Sequence, residues 1–227
     1  MRVLAVTHGP DVRPEVFADV IAEDGHELIE WDIRSRGAPT SSDVDAVIVL
    51  GGDQNVGEEL EHPWLHEEYD ALRRWVDEGT PLLAICLGAQ TLAHAIGGTV
   101  GPVGGTLAGF YVSELTPAGQ DDPVLGVLPQ RFESFNANGY WFEIPPGAVE
   151  LATGPVPQAY RVNGSAWGVQ FHPEVRRDQV LRWFEGDETV TRTLDDLADE
   201  LDEKLPAWQM HGRALCRAFL AAADRNS

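Results

Sequence analysis

Three residues have the types and spacing that covalent acyl chemistry needs: Cys86, His172 and Glu174. Cys86 ends the apolar run Pro81-Leu82-Leu83-Ala84-Ile85. After Gly88 the chain continues as Ala89-Gln90-Thr91-Leu92-Ala93-His94-Ala95-Ile96, which has helical composition. That pattern is a strand, a tight turn and a helix, with the cysteine at the corner. A sharp strand-to-helix turn pushes its residue out of the sheet edge and beside the unpaired amides of the helix start; it tolerates small neighbours such as Ala84 and Gly88. A helix N-terminus also favours the thiolate, the reactive form. The same corner suits a buried apolar residue, since free cysteine is among the most buried types. On this segment alone both readings stand.

A cysteine nucleophile needs a base, and seven histidines are available. His26 opens a strand, His62 and His66 flank an acidic helix start, His94 lies on the helix after Cys86, and His211 lies near the last helix. His172 differs, because it ends the run Trp167-Gly168-Val169-Gln170-Phe171 and Pro173 stops a strand from continuing. It is expected as the last residue of a central strand, where catalytic groups of open α/β sheets gather. Glu174 follows two residues later, and in extended chain such a pair shares a face, so the carboxylate can fix the ring tautomer. By itself His172-Pro173-Glu174 is also an ordinary strand exit. With the corner at Cys86 it completes a nucleophile, a base and an orienting acid.

The elements that must position these residues follow from periodicity. Arg2 to His8 reads as a strand. Pro14 to Asp24 carries Val16, Phe17, Val20 and Ile21 at helical spacing before Gly25. His26 to Ile33 is a second strand, Ser35 to Ser42 a polar turn region, and Asp45 to Leu50 a strand covered on both faces. Pro63 to Glu78, with Trp64, Leu65, Ala71, Leu72, Trp75 and Val76, is a helix. This alternation predicts an α/β fold with a mostly parallel sheet and helices on both faces.

Beyond Gly97-Gly98 the character changes. Strands are expected at Leu107 to Leu115, Arg131 to Trp141, Ala148 to Thr153 and Gln158 to Val162, with a turn at Thr116 to Asp122. Asn163-Gly164 is a hairpin signal, which adds a small antiparallel part. Val190, Leu194, Leu197, Leu201 and Leu205 form an apolar helical stripe amid Asp195, Asp196, Asp199, Glu200, Asp202 and Glu203. A further helix is expected at His211 to Ala223. The acidic run is read as a solvated helix face, with a docking surface for a basic partner as the lesser alternative. The expectation is a single domain over 1–227 with an acidic helical extension from about 186.

Composition narrows the function. The 227 residues include 37 acidic and 16 basic ones, a net charge of -21, which disfavours nucleic acid and anionic membrane as partners. Two cysteines are too few for a disulfide scaffold or a cysteine-based zinc site, so no metal is expected and a reducing compartment fits. No run approaches bilayer length and Thr7-His8-Gly9-Pro10 comes too early for a signal peptide, so the expected location is the cytoplasm.

The motifs Leu50-Gly51-Gly52, Pro81 through Gln90, Gly97-Gly98-Thr99-Val100 and Gly168-Val169-Gln170-Phe171-His172-Pro173-Glu174 occur in an order that resembles the class I glutamine amidotransferases. The chain is most similar to stand-alone members related to the glutaminase domain of GMP synthase. The resemblance covers roughly residues 40 to 185. It implies the flavodoxin-like fold of that family and release of ammonia from glutamine through a cysteinyl thioester. Cys86 would be the nucleophile, His172 the acid and base, and Glu174 its holder; backbone amides of Gly52 and Leu87 would bind the oxyanion.

Substrate would lie near Gly51, Gln90, Asn136, Asn138, Gly139 and Tyr140. Gln90 is equally readable as a polar residue on a partly exposed helix face. Two departures stand out: Asp53 where the family has proline, and Phe135-Asn136-Ala137-Asn138-Gly139-Tyr140 where it has histidine, glycine and an acid. No cofactor is called for. With no G-x-x-x-x-G-K-[ST] loop, the ammonia acceptor is expected on another chain, a synthetase or acceptor-domain protein in trans. The alternatives are a hydrolase of γ-glutamyl amides or peptides, and a non-catalytic binding or regulatory member.

Overall fold

The computed structural model describes residues 1–39, 44–186 and 192–225. In chain order the first half runs β1 (Arg2–Thr7), α1 (Glu15–Glu23), β2 (Glu27–Asp32), the one-turn α2 (Ile33–Arg36), β3 (Ala46–Val49), α3 (Trp64–Glu78), β4 (Leu82–Ile85) and α4 (Leu87–Ala95). The second half runs β5 (Val100–Leu115), the one-turn α5 (Pro117–Gln120), a 3-10 turn at Leu125–Val127, β6 (Arg131–Phe142), β7 (Val149–Thr153), β8 (Ala159–Val162), β9 (Ala166–Val169), α6 (Arg177–Trp183) and α7 (Leu194–Asp224).

Among the described residues the strands form one sheet in the order β2-β1-β3-β4-β9-β8-β7-β5-β6. The pairs from β2 through β9 are parallel, and those from β9 through β6 antiparallel. Side-chain alternation along the strands explains the two helical layers. Val3, Ile48, Leu83 and Ile85 face a core shared with Phe17 and Ile21 of α1 and with α7. Leu4, Val47, Val49 and Leu82 face the opposite core with α3 and α4. Each fully buried side chain of this size contributes about 1.5–3 kcal/mol. The fold is thus α/β, with helices on both faces of a mixed sheet. Among the described residues no helix is long and apolar enough to cross a membrane.

Four local expectations change. β5 begins at Val100 rather than Leu107, because a register shift between Pro102 and Leu107 lets a glycine-rich stretch stay paired with β6. Thr116 to Asp122 contains α5, whose start is capped by the Thr116 side chain accepting from Gly119 N. Within the turn region after Ser35 the chain still holds α2; residues 40 to 42 lie outside the described residues.

The largest change is at the C-terminal side, where two expected helices are one. α7 passes through Pro206 without ending. A proline there forfeits an intrahelical hydrogen bond, but the buried series Leu197, Leu201, Leu205, Trp208, Gly212, Leu215, Cys216 and Phe219 continues across it at helical spacing. Leu194 is 38% exposed, off the stripe, and Val190 lies outside the described residues. Asp195, Asp196, Asp199, Asp202 and Glu203 are exposed, while Glu200 is paired with Arg192 and Lys204.

α7 lies tightly on the segment that follows β9. A Cβ at Gly212 would stand 1.9 Å from Pro173 O. Gly212→Ala is therefore expected to cost at least about 1–3 kcal/mol of unfolding free energy in urea, whereas Met210→Ala, at a site 72% exposed, changes it by less than about 0.5 kcal/mol.

Candidate active site

Cys86 stands between β4 and α4 with φ 53 and ψ −109, a left-handed backbone that a side chain rarely adopts. Its N–H donates to Val169 O of β9 at 2.8 Å, and its carbonyl accepts from Gln90 N at 3.0 Å. Gly88 N donates to Leu50 O at 3.1 Å, and a Cβ at Gly88 would meet Val49 O at 2.4 Å. Only glycine lets α4 start this close to the end of β3. The sulfur is nearly buried and receives Gln170 Nε2 at 3.7 Å.

His172 was expected to end a strand, but β9 ends three residues earlier, at Val169. Past that point the chain leaves its neighbour: Gln170 N still reaches Gln158 O at 2.8 Å, while His172 N turns to Phe135 O on β6, also at 2.8 Å. Trp208 Nε1 of α7 donates to His172 O at 2.7 Å, fixing the backbone from behind. The ring lies 5.0 Å from that of Trp183, and Nδ1 meets Glu174 Oε1 at 2.8 Å. The two side chains are 3% and 0% exposed. Burial by itself pushes the imidazolium down, but the charges on Glu174 and Cys86 and the hydrogen bonds to both raise it to about 10.

These groups open on a cavity of about 410 Å³. Cys86, His172, Gly52, Gln90, Asn138, Gly139 and Tyr140 line it. Leu87 begins α4, so its N–H is one of the amides left without an intrahelical acceptor. Gly52 packs on Leu87, since a Cβ there would stand 2.7 Å from Leu87 Cδ2. Gln90 spends its amide on structure, donating to Tyr140 O at 2.9 Å and Gln170 Oε1 at 3.3 Å.

Two of the residues expected near substrate stand off the cavity. Asn136 does not line the cavity; its Nδ2 donates to Ser134 O and Oγ, both at 3.1 Å, in a buried cluster on β6. Gly51 does not line it either. It lies under the His172 ring, where a Cβ would stand 2.8 Å from Cε1, and its carbonyl accepts from His8 Nδ1. Asp53 sits exposed at the rim and accepts from Gln54 Nε2.

Sequence reasoning missed His8, Gln54, Gln170 and Trp183. His8 and Gln54 line the cavity, as does Trp183, whose Nε1 donates to Asp11 O at 2.8 Å. The signal for Gln170 was a glutamine within an otherwise apolar run; it is fully buried against the sulfur. His8 offered the signal of a polar ring ending an apolar strand. Chemically, the assembly presents a sulfur, an imidazole whose proton is held more tightly than usual, and adjoining main-chain amides around one cavity.

Comparison with known proteins identifies the family. A family model described as glutamine amidotransferase class-I matches residues 21–180. A glutamine-hydrolyzing GMP synthase of Thermomicrobium roseum is 35% identical over 70% of this chain and 30% of its own length. A glutamine-hydrolyzing GMP synthase subunit of Haloarcula marismortui is 29% identical over 65% of this chain and 74% of its own. The chain spans about a third of the length of the first two GMP synthases it matches, those of Thermomicrobium roseum and Thermosipho africanus.

A glutamine amidotransferase crystal structure from Thermotoga maritima superposes with TM-score 0.86 at 25% identity, covering 96% of this chain and 98% of that one. The 4% left uncovered is shorter than α7, so the likeness includes most of that helix. With the family model matching well over half of its residues, this chain belongs to the class I glutamine amidotransferases.

Proposed function

We propose that this chain hydrolyses the side-chain amide of glutamine through a thioester on Cys86, and that the ammonia goes to an acceptor held by another chain. The observation that carries the reading is Cys86 on its left-handed turn, sharing one cavity with His172, whose Nδ1 is held from behind by the buried Glu174. The Cys86 sulfur attacks the amide carbon, and the carbonyl oxygen becomes an oxyanion received by the N–H groups of Gly52 and Leu87. His172 passes its proton to the departing nitrogen, and ammonia leaves. The neutral ring then takes a proton from water, whose oxygen attacks the thioester and releases glutamate, restoring the sulfur. Glu174 holds the ring and favours its charged form.

The amide oxygens Asn138 Oδ1 and Gln54 Oε1 are buried without partners. Each suits the α-ammonium of glutamine. Arg182, also on the cavity wall, carries the charge that suits its carboxylate. Glutamine is favoured over γ-glutamyl peptides, and catalysis over binding alone, by the glutamine-hydrolyzing relatives. A separate synthetase is favoured by the relative named as one subunit of its enzyme. Both cysteines are free, which suits the reducing cytoplasm.

Purified protein, alone and with a cognate synthetase once one is identified, is expected to release glutamate and ammonia from glutamine. Cys86→Ala should lower this by at least about 10³-fold, and a glutamine-like electrophile should modify Cys86. Hydrolysis that persists in Cys86→Ala rules out the thioester.

A second expectation concerns protonation. The folded ring binds its proton more tightly than an unfolded histidine, so its contribution to stability is present below about pH 6.5 and lost as pH rises through about 10. Followed by NMR of the ring carbons, His172 should stay protonated through pH 8. In Glu174→Gln its midpoint should fall, and the alkaline limb of kcat should move down with it; an unmoved midpoint would remove Glu174 as the cause.

A further inference from the structure

One buried ion pair beside the cavity has no part in the reaction just described. His8, just past the end of β1, and Glu68 of α3 are 0% and 1% exposed, and His8 Nε2 lies 2.5 Å from Glu68 Oε2. Glu68 Oε1 accepts from Thr91 Oγ1 of α4 at 2.7 Å. The other ring nitrogen, His8 Nδ1, lies 2.7 Å from Gly51 O. A carbonyl oxygen only accepts, so Nδ1 carries a hydrogen and donates.

Gly51 O and Gly52 N–H belong to the same peptide unit, and in a trans peptide the two point to opposite sides. Among the described residues every peptide is trans. The bond from His8 therefore sets where the Gly52 N–H points. It also draws electron density toward Gly51 O, which makes the N–H a stronger donor. We propose that His8, held by Glu68, is a positioning residue for the oxyanion site, orienting and polarising the Gly51–Gly52 peptide so that the Gly52 N–H meets the charge that develops during attack. This rests on the glutamine-hydrolysing reading above.

Three further observations support it. The loop is wedged in place, since a Cβ at Gly52 would stand 2.9 Å from His8 Cβ and 2.7 Å from Leu87 Cδ2. Burial works against a charged His8 ring, yet the Glu68 charge and hydrogen bond, with the Gly51 carbonyl, raise it above an ordinary histidine against the opposing Arg34. A cationic ring polarises the peptide more than a neutral one. Finally, Thr91 ties Glu68 to α4, the helix that begins at Leu87, so both oxyanion amides are referred to one network.

The test must separate positioning from plain structural support. Removing one partner leaves a buried charge unpaired, whereas His8→Leu/Glu68→Leu removes both charges together, and Thr91 still reaches Gly88 O at 3.0 Å. Wild type and variant are compared in kcat and KM for glutamine, in affinity for glutamate, and in affinity for glutamate γ-semialdehyde. The Cys86 sulfur adds to the carbon of that aldehyde, and its carbonyl electrons move to oxygen, making the tetrahedral oxyanion without a leaving group.

The folded double variant should keep KM and glutamate affinity within about threefold, and lose at least about tenfold in both kcat and aldehyde affinity. Glu68→Gln, which keeps the shape and removes the charge, should move the same quantities the same way by less. His8→Asn, whose Nδ2 can take the place of Nδ1, should recover part of the kcat lost in His8→Leu. Wild-type kcat and aldehyde affinity in the folded double variant would overturn the proposal, as would equal losses for glutamate and aldehyde. A wild type inert to both glutamine and the aldehyde would instead bring down the glutamine-hydrolysing reading. In that case the Gly52 amide proton still decides the peptide's polarisation: an NMR shift identical in wild type and Glu68→Gln refutes it.

Discussion

The backbone of Cys86 is the constraint on which the rest depends. A non-glycine residue at φ 53 costs about 1–3 kcal/mol and persists only where its surroundings over-determine it. Here they do. Val169 of β9 holds the residue's N–H, Leu50 just past the end of β3 holds the N–H of Gly88, and α4 carries its carbonyl. The two strands that flank β4 thus place the sulfur between them, and those strands also lead into the Gly51-Gly52 loop and the His172 segment. Cys86, the Gly51-Gly52 loop and the His172 segment are therefore positioned by neighbouring strands of one parallel ladder, whose hydrogen bonds leave little room for independent drift.

That arrangement explains what could be read without coordinates. Cys86, His172 and Glu174 announce themselves through local chemistry: small residues around a corner, a proline after a strand, and an acid two positions on. The alternation of β1 to α4 was equally plain, since Phe17, Ile48 and Leu83 fall on the periods their elements require. What escaped depends on distant partners. Glu68 looks like one more acid on an acidic helix, and its role appears only when α3 brings it to His8, 60 residues away in sequence. Asn136 and Asn138 lie two apart on one strand and read alike. Each donates its amide to a residue two positions along β6 and keeps an unpartnered oxygen, but of the two Asn138 lines the cavity and Asn136 does not. The start of β5 was hidden because its glycines and Pro102 signal a loop, and only the shifted register against β6 keeps them in the sheet. The join of two expected helices through Pro206 likewise follows from burial on both sides, which outweighs the local preference to break.

α7 shows how a segment with no chemical group in the cavity can still be part of the site. Trp208 holds the carbonyl of His172, Gln209 Nε2 donates to Val175 O at 3.0 Å, and Gly212 receives Pro173 against its bare backbone. The His172-Pro173-Glu174 stretch is in this way clasped by consecutive turns of a single rod. Its outward side is free to change, because the acids there face water. Its phase is not: each residue advances the helix by about 100°, so an insertion or deletion of one position between Leu194 and Trp208 would swing the indole away from the histidine carbonyl and put a side chain where Gly212 must be. The helix behaves as a keyed shaft, in which the surface lettering is negotiable and the angular setting is what His172 reads.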